Sequence, residues 1–251
     1  MYKEKKYPLS LGLDHPSVQQ VIDVAVELTK EHKLINTELL YNRAKRKLKI
    51  PRSGLKIIIQ MLINRKILVD GSKFTRETIL KNKFRKFIYS IIKTNKGIHF
   101  SSLKETCAKY KDSEIGVGHL VWHLEKLIKF NLVKKLKVKN FTIFLPVEMS
   151  DEEGMLYFIL SDDLNRIIVK LILERKEIKR SDIYKELSIE REKIYYRIKN
   201  LIGYGVISPS PENKKRLFIK LSKRALINEV ITNILNDLQD NQELKLISME
   251  I

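Results

Sequence analysis

The sequence GHLVWHLEKLIKFNLV, residues 118–133, decides the fold because its apolar pattern changes from that of a helix to that of a strand. Its first part places four apolar residues on one helical face, namely Leu120, Leu124, Leu127 and Ile128. Its last part follows the two-residue period of a strand, with Phe130, Leu132 and Val133. The stretch therefore predicts a helix that leads directly into a strand.

The same apolar series occurs twice more in the chain. It returns 74 residues later as Ile194, Ile198, Leu201, Ile202, Tyr204, Val206 and Ile207. It also occurs 65 residues earlier, with Arg65 in place of the aromatic residue, as Leu55, Ile59, Leu62, Ile63, Ile67 and Leu68. We therefore predict three copies of one helix-and-strand unit.

The first repeat, residues 1–80, predicts three helices and a β-hairpin. The helices begin at Pro16, at Thr37 with Asn36 as N-cap, and at about Arg52. They end near residues 33, 47 and 64, and a strand over residues 66–69 then precedes a tight turn at 70–71. Three helices followed by a hairpin predict a winged helix-turn-helix.

The second repeat, residues 81–147, predicts the same elements with a basic hairpin. A helix follows Asn82, residues 98–100 form a short strand, and Ser102 with Glu105 has the spacing of a capping box for the next helix. The hairpin over residues 134–145 has a strongly basic first strand and tip.

The third repeat, residues 148–222, opens with the acidic run 151–153, which predicts a linker or a short connecting strand. Its last helix is expected over residues 189–204 and its hairpin over residues 206–221. The C-terminal segment, residues 223–251, predicts a helix over 223–240. Its apolar residues have heptad-like spacing, which favours either a coiled coil for dimerisation or a helix packed on its own domain: Ile227, Ile231, Ile234 and Leu238.

The expected fold class is mainly α with small β-hairpins, organised as three tandem winged helix-turn-helix domains and a C-terminal helix. No apolar run approaches the roughly 20 residues of a membrane span, and the opening MYKEKKYPLS lacks the apolar segment of a secretory signal. We expect a cytoplasmic, nucleoid-associated protein without membrane insertion. The single Cys107 is expected to be a small core residue.

Positive charge is concentrated in the first two repeats of a chain with a formal net charge of +19. Residues 1–80 contain 16 Lys and Arg against 8 Asp and Glu, and residues 81–147 contain 15 against 4, whereas residues 148–222 contain 15 against 13. Such a field attracts polyanions, which makes double-stranded DNA the expected partner and an acidic membrane surface the lesser one. A solvated, lysine-rich surface is the alternative interpretation.

The third helix of a winged helix enters the major groove, and cations of the hairpin contact phosphates. The expected outward residues of this helix are His119, Trp122, His123 and Lys126 in the second repeat, and Lys193, Tyr196, Arg197 and Asn200 in the third. The hairpins add Lys135, Lys137, Lys139, Lys214, Lys215 and Arg216. We predict that these residues bind DNA. The alternatives are a polar solvent face and, for Trp122, a rim position partly covered by the hairpin.

In the first repeat the equivalent outward residues are Gly54, Ile57 and Ile58. A helix that is apolar on every side is expected to be buried on every side. We therefore expect this repeat to pack against protein and not against DNA. A homodimer could form through this repeat or through the C-terminal helix.

The sequence offers no recognisable active site. It contains no Gly-rich phosphate loop, nucleophile elbow or cysteine with a placed base, so we expect no enzymatic activity and no cofactor. His119 and His123 are four residues apart, but no third ligand is evident and we predict no metal site.

Residues 83–145 resemble archaeal winged-helix transcription regulators, broadly of the MarR and ArsR type. The resemblance rests on GIHF at 97–100, GHLVWHLEKL at 118–127 and FNLVKK at 130–135. It implies a DNA-binding regulator that acts as a dimer. The chain departs from the family pattern at Val121 and Tyr195, where a small hydroxyl residue is common, and at Glu192, where a glycine is common.

Two functions follow from these patterns. The leading hypothesis is a non-catalytic transcription regulator that binds DNA through tandem winged helices. The alternative is a protein-assembly scaffold, because tandem winged helices also serve in ESCRT-II-like complexes and in RNA polymerase accessory subunits. The apolar third helix of the first repeat favours the scaffold, whereas the charge of the second repeat favours DNA.

Overall fold

The computed structural model describes residues 12–31, 33–111, 114–210, 218–221 and 231–236 of the chain. The described protein is mainly helical, with small antiparallel sheets. It forms two compact units. Unit 1 comprises residues 1–94 and 98–148, and unit 2 comprises residues 95–97 and 149–251.

Unit 1 begins with three helices: α1 Pro16–Lys30, α2 Thr37–Lys47 and α3 Arg52–Asn64. The bounds predicted for α2 and α3 are confirmed, and the Asn36 side chain accepts hydrogen bonds from the amides of Glu38 and Leu39, as an N-cap does. α1 ends three residues before the predicted position. The three helices enclose one apolar core.

The strand predicted over residues 66–69 is wrong. The amides of Ile67 and Leu68 donate to the carbonyl of Leu62, at 2.9 and 3.2 Å, so these residues close the end of α3 instead of pairing with a strand. Their apolar side chains are buried by packing, which a pattern of apolar residues cannot distinguish from a strand. The described first repeat has only an isolated bridge, between Ile35 and Ser72.

The rest of unit 1 is a helical subdomain with a three-stranded sheet. After a short 3₁₀ helix, Thr78–Lys81, its elements are α4 Lys83–Asn95, β1 Ile98–His99, α5 Phe100–Lys111, α6 Val117–Lys129, β2 Val133–Val138 and β3 Phe141–Pro146. The antiparallel sheet has the order β1-β3-β2. The predicted order of helix and strand at residues 118–133 is therefore confirmed, but Phe130 and Leu132 lie in the turn that closes α6, and only Val133 of the three predicted strand residues belongs to β2.

The capping box predicted at Ser102 is wrong. α5 already begins at Phe100, so Ser102 lies inside the first turn, where its carbonyl accepts from the Thr106 hydroxyl. Cys107 on the same helix is fully buried, as expected of a core residue, and burial raises the pKa of its thiol to about 11. This thiol therefore stays protonated and unreactive near neutral pH.

Unit 2 repeats this element order after one additional helix. Its elements are α7 Asp151–Leu160, α8 Asp163–Arg175, β4 Glu177–Lys179, α9 Arg180–Leu187, α10 Arg191–Gly203, β5 Ile207–Pro209 and β6 Phe218–Leu221. The sheet order is β4-β6-β5, which corresponds to the order in unit 1.

The linker or strand predicted at residues 151–153 is wrong, because these residues form the first turn of α7. The Ser150 hydroxyl accepts from the amide of Glu153 at 3.1 Å, and three carboxylates in the first turn suit the positive end of the helix dipole.

The described part of the C-terminal segment, residues 231–236, is helical. Ile231 and Ile234 are buried in the apolar core of unit 2. For these two residues, the helix packs on its own domain and does not present an exposed coiled-coil seam. Ile227 and Leu238 lie outside the described residues. No described helix combines the length and the apolar character needed to cross a bilayer.

Candidate nucleic-acid interface

The basic hairpin of unit 1 lies where the sequence predicted it. Lys135 and Lys137 are exposed on β2, and their Cα partners on β3 are Phe144 and Thr142. Lys139 is exposed in the connecting turn, where it adopts a φ of 52°. Val138, Ile143 and Phe144 of the same hairpin are buried, so the exposed lysines belong to a packed element. We call β2, β3 and their turn the basic wing.

The outward face of α6 carries two of its predicted residues in exposed positions. His119 is exposed, and the Trp122 side chain is 48% exposed. Two cations lie near the Trp122 ring: Lys126 Nζ is 5.6 Å and Arg85 Cζ is 5.3 Å from the ring centroid. Trp122 is thus about half exposed although two cations lie near its ring, and Lys126 is half-buried beside it.

His123 is not on the outward face, which contradicts its predicted role. It is 3% exposed, and its ring packs edge-on against Phe84 with the centroids 5.1 Å apart. Burial, with the nearby charge of Arg85, lowers the pKa of His123 to about 4, so the imidazole is neutral at pH 7. The neutral ring keeps one N–H donor, but its burial keeps that donor out of reach of a phosphate.

The two histidines of α6 face each other. Their Nε2 atoms are 3.2 Å apart, at hydrogen-bond distance. The described residues contain no group of three or more His, Cys, Asp or Glu side chains that could hold a metal ion. His119 also stacks on Phe84, with the centroids 5.5 Å apart, so the exposed histidine is held in place by its neighbours.

The α10 face of unit 2 contains two exposed and two half-buried predicted residues. Lys193 is exposed, and Tyr196 is 63% exposed. Asn200 is half-buried, as is Arg197, whose guanidinium lies 2.9 Å from the Asp162 carboxylate. Part of the charge of Arg197 is therefore already neutralised within the protein. Lys214, Lys215 and Arg216 lie outside the described residues.

The outward face of α3 differs from the apolar face that was predicted. Gly54 and Ile58 are buried in the core of their own repeat, and only Ile57 is exposed, at 52%. The prediction that this face packs against protein rested on all three residues. The exposed face is centred one position earlier in the sequence, on Ser53, Lys56 and Ile57.

Sequence reasoning also missed Arg85 on α4. This side chain is 2% exposed, its Nη1 donates to the carbonyl of Ile79 at 2.7 Å, and its guanidinium lies 5.3 Å from the Phe74 centroid. Its guanidinium also lies 5.3 Å from the Trp122 centroid. The sequence contained one usable signal, because Arg85 lies between Phe84 and Ile88 on the apolar side of the helix.

Among known proteins, the chain has a distant relative in an archaeon. No family model matches the chain. It is 27% identical over 166 residues to an uncharacterized HTH-type transcriptional regulator of Methanocaldococcus jannaschii. The alignment covers 66% of this chain and 38% of that protein, so the chain spans well under half of the relative's length.

Among solved structures, a chain of the endosomal complex ESCRT-II (VPS22/VPS25/VPS36) shares 11% identity, with 82% of this chain and 87% of that chain covered. The TM-score is 0.25, which is too low to indicate a shared fold.

Proposed function

We propose that the chain is a non-catalytic transcription regulator that binds double-stranded DNA through tandem winged-helix repeats. The name of the archaeal relative, an HTH-type transcriptional regulator, supports this class. So does the order of elements in residues 83–146 and 163–221, in which three helices and a three-stranded sheet place the third helix directly before a hairpin.

The observation that carries the proposal is the basic wing beside α6. Lys135 and Lys137 are exposed on one strand of a hairpin that α6 precedes directly, and residues 81–147 contain 15 Lys and Arg against 4 Asp and Glu. In our proposal Lys135, Lys137 and Lys139 contact phosphates, while His119, Trp122 and Lys126 approach the groove. Lys193, Tyr196 and Asn200 of α10 are the corresponding residues in unit 2.

The double variant Lys135→Gln/Lys137→Gln tests the wing. In an electrophoretic mobility assay, the variant should bind a random-sequence duplex roughly tenfold or more weakly than the unmodified chain does. The reason is that two fewer phosphate contacts release fewer counterions. Both side chains are exposed, so the variant should fold normally.

Lys86→Gln/Lys93→Gln is the matched control, since it removes two exposed lysines from α4 of the same unit. If the control weakens binding as much as the wing variant does, only the overall field matters and the wing has no specific role. If neither the unmodified chain nor the variants retard DNA, the proposed function is wrong.

A further inference from the structure

The third helix of the first repeat has the most phosphate-compatible outward face of the three repeats. The exposed residues of α3 are Arg52, Ser53, Lys56, Ile57, Gln60 and Asn64. No carboxylate is among them. The exposed residues of the corresponding helices include Glu125 on α6 and Glu192 in the first turn of α10. Phosphate would be repelled by those two side chains, and α3 has no counterpart to them.

The segment around α3 is also rich in cations and free of acids. Between Glu38 and Asp70 the sequence contains nine Lys and Arg and no Asp or Glu. Two of the nine, Arg43 and Lys47, form ion pairs with Glu31 and Glu27 respectively. Within the described parts of the chain the other seven have no ion-pair partner, namely Lys45, Arg46, Lys49, Arg52, Lys56, Arg65 and Lys66.

The geometry places several of these cations at one edge, where α2 and α3 meet. Lys56 Nζ lies 5.9 Å from the centroid of the Tyr41 ring on α2. Lys45 follows Tyr41 by one helical turn, and Arg52 precedes Lys56 by one turn, so helical periodicity puts them on the faces of α2 and α3 that carry this contact. We call Lys45, Arg52 and Lys56 the α2–α3 cation cluster.

Donors for base edges continue along the same helix. An open depression of about 620 Å³ is lined by Lys56, Ile57, Gln60, Met61, Asn64 and Arg65. The Gln60 amide donates to the Asn64 side-chain oxygen at 2.9 Å, so one amide orients the other. Gln and Asn amides suit the adenine edge in the major groove, and an exposed Ile57 suits a thymine methyl group.

We propose that α3 and the α2–α3 cation cluster form a further contact with double-stranded DNA. Lys45, Arg52 and Lys56 contact phosphates, and Gln60 with Asn64 lies at base edges. This inference rests on the proposed function, because it assigns an additional surface to the same partner.

Two other occupants suit this surface less well. A second copy of the chain would pair the face with itself across a two-fold axis and would bring the same unpaired cations against one another. An acidic protein segment would satisfy the cations, but it would leave no role for the row of amide donors at Gln60 and Asn64. It is therefore the outcome against which the DNA contact is tested.

The double variant Arg52→Gln/Lys56→Gln in the full chain tests the phosphate contacts. Affinity for a fluorescein-labelled random 30-base-pair duplex is measured by anisotropy at several salt concentrations. The slope of log K against log salt should be less steep than that of the unmodified chain by about 1.8, because about 0.9 counterion is released per phosphate contact. Lys30→Gln/Lys73→Gln, which removes two exposed lysines elsewhere in the first repeat, should leave the slope almost unchanged.

Equal slopes for the α3 variant and its control would overturn the inference and leave the proposed function intact. The inference would also be overturned if Arg52→Gln/Lys56→Gln bound poly-L-glutamate more weakly than the unmodified chain but bound the duplex equally well. That result would favour an acidic protein partner. Absence of duplex binding by the unmodified chain would overturn both.

Gln60→Ala tests the base-edge contact separately. It should leave the salt slope unchanged, because no charge is lost, and should weaken the preference among duplexes selected from random sequence by roughly 1–3 kcal/mol at the contacted position, or about fivefold to 150-fold in affinity ratio. Unchanged selection by the variant would refute the assignment of Gln60 to a base edge.

Discussion

His123 occupies in the second repeat the position that Ile58 occupies 65 residues earlier, and both side chains are buried. The histidine thus takes an apolar position in the core and brings a titratable group with it. Its pKa falls from 6.5 to about 4 on folding, mainly through loss of hydration and secondly through the charge of Arg85. Its neutral form is the one that the folded state accommodates.

The stability of the chain should therefore depend on pH through His123. Between about pH 6.5 and pH 4 the unfolded state binds a proton that the folded state does not, so stability is highest above this range and falls as the pH falls through it. The loss at about pH 4.5 should be roughly 2 kcal/mol. Urea unfolding at pH 7 and at about pH 4.5 measures it.

His123→Ile, which copies the first repeat, is the comparison for this prediction. Because isoleucine does not titrate, the variant should lose less stability between the two pH values than the unmodified chain loses. An equal loss in both proteins would show that other groups, such as the carboxylates, account for the acid sensitivity.

At the scale of single residues, the sequence predicted the exposed members of the candidate site better than the packed ones. Lys135 and Lys137 follow from the two-residue period of a strand, which assigns faces unambiguously. A helix turns by 100° per residue, so a residue beside the apolar stripe can lie on either side of its border. His123 lies at that border, and its burial depends on Phe84 and Arg85 of α4, which periodicity within α6 does not include.

Among the helices, the starts of α2 and α3 were predicted correctly from their terminal signals, whereas the capping box at Ser102 misplaced the start of α5. Asn36 and Pro51 mark the starts of α2 and α3, and both bounds agree with the structure. α7 had no such clarity, because its acidic first turn resembles a charged linker and its remaining residues are buried on several sides. The strand predicted at residues 66–69 failed for another reason. Its apolar residues are buried by packing after the end of α3, and the apolar pattern alone looks like that of a strand.

The start of α2 can be tested through its N-cap. Asn36→Ala removes the acceptor for the amides of Glu38 and Leu39 and should lower the free energy of unfolding by about 1 kcal/mol. Thermal unfolding followed by circular dichroism measures the change. Asn36→Ser, which retains an acceptor, should lose only a few tenths of this value, and equal losses in the two variants would argue against capping at this residue.

Across the whole molecule, the positive charge is concentrated in one of the two compact units. Unit 1 includes the first two repeats and most of the excess of Lys and Arg, whereas residues 148–222 are nearly balanced, with 15 Lys and Arg against 13 Asp and Glu. Arg197 illustrates the balance, because an aspartate of its own unit already neutralises it. We therefore expect unit 1 to supply most of the electrostatic affinity for DNA and unit 2 to contribute less.

The central claim, that this chain binds double-stranded DNA through exposed cations, is tested most directly by the salt dependence of the unmodified chain on a random-sequence duplex. With about six phosphate contacts, affinity should fall roughly a thousandfold or more between about 50 and 200 mM salt. The account would be contradicted if the chain did not bind the duplex at about 50 mM salt, or if its affinity hardly changed over this range.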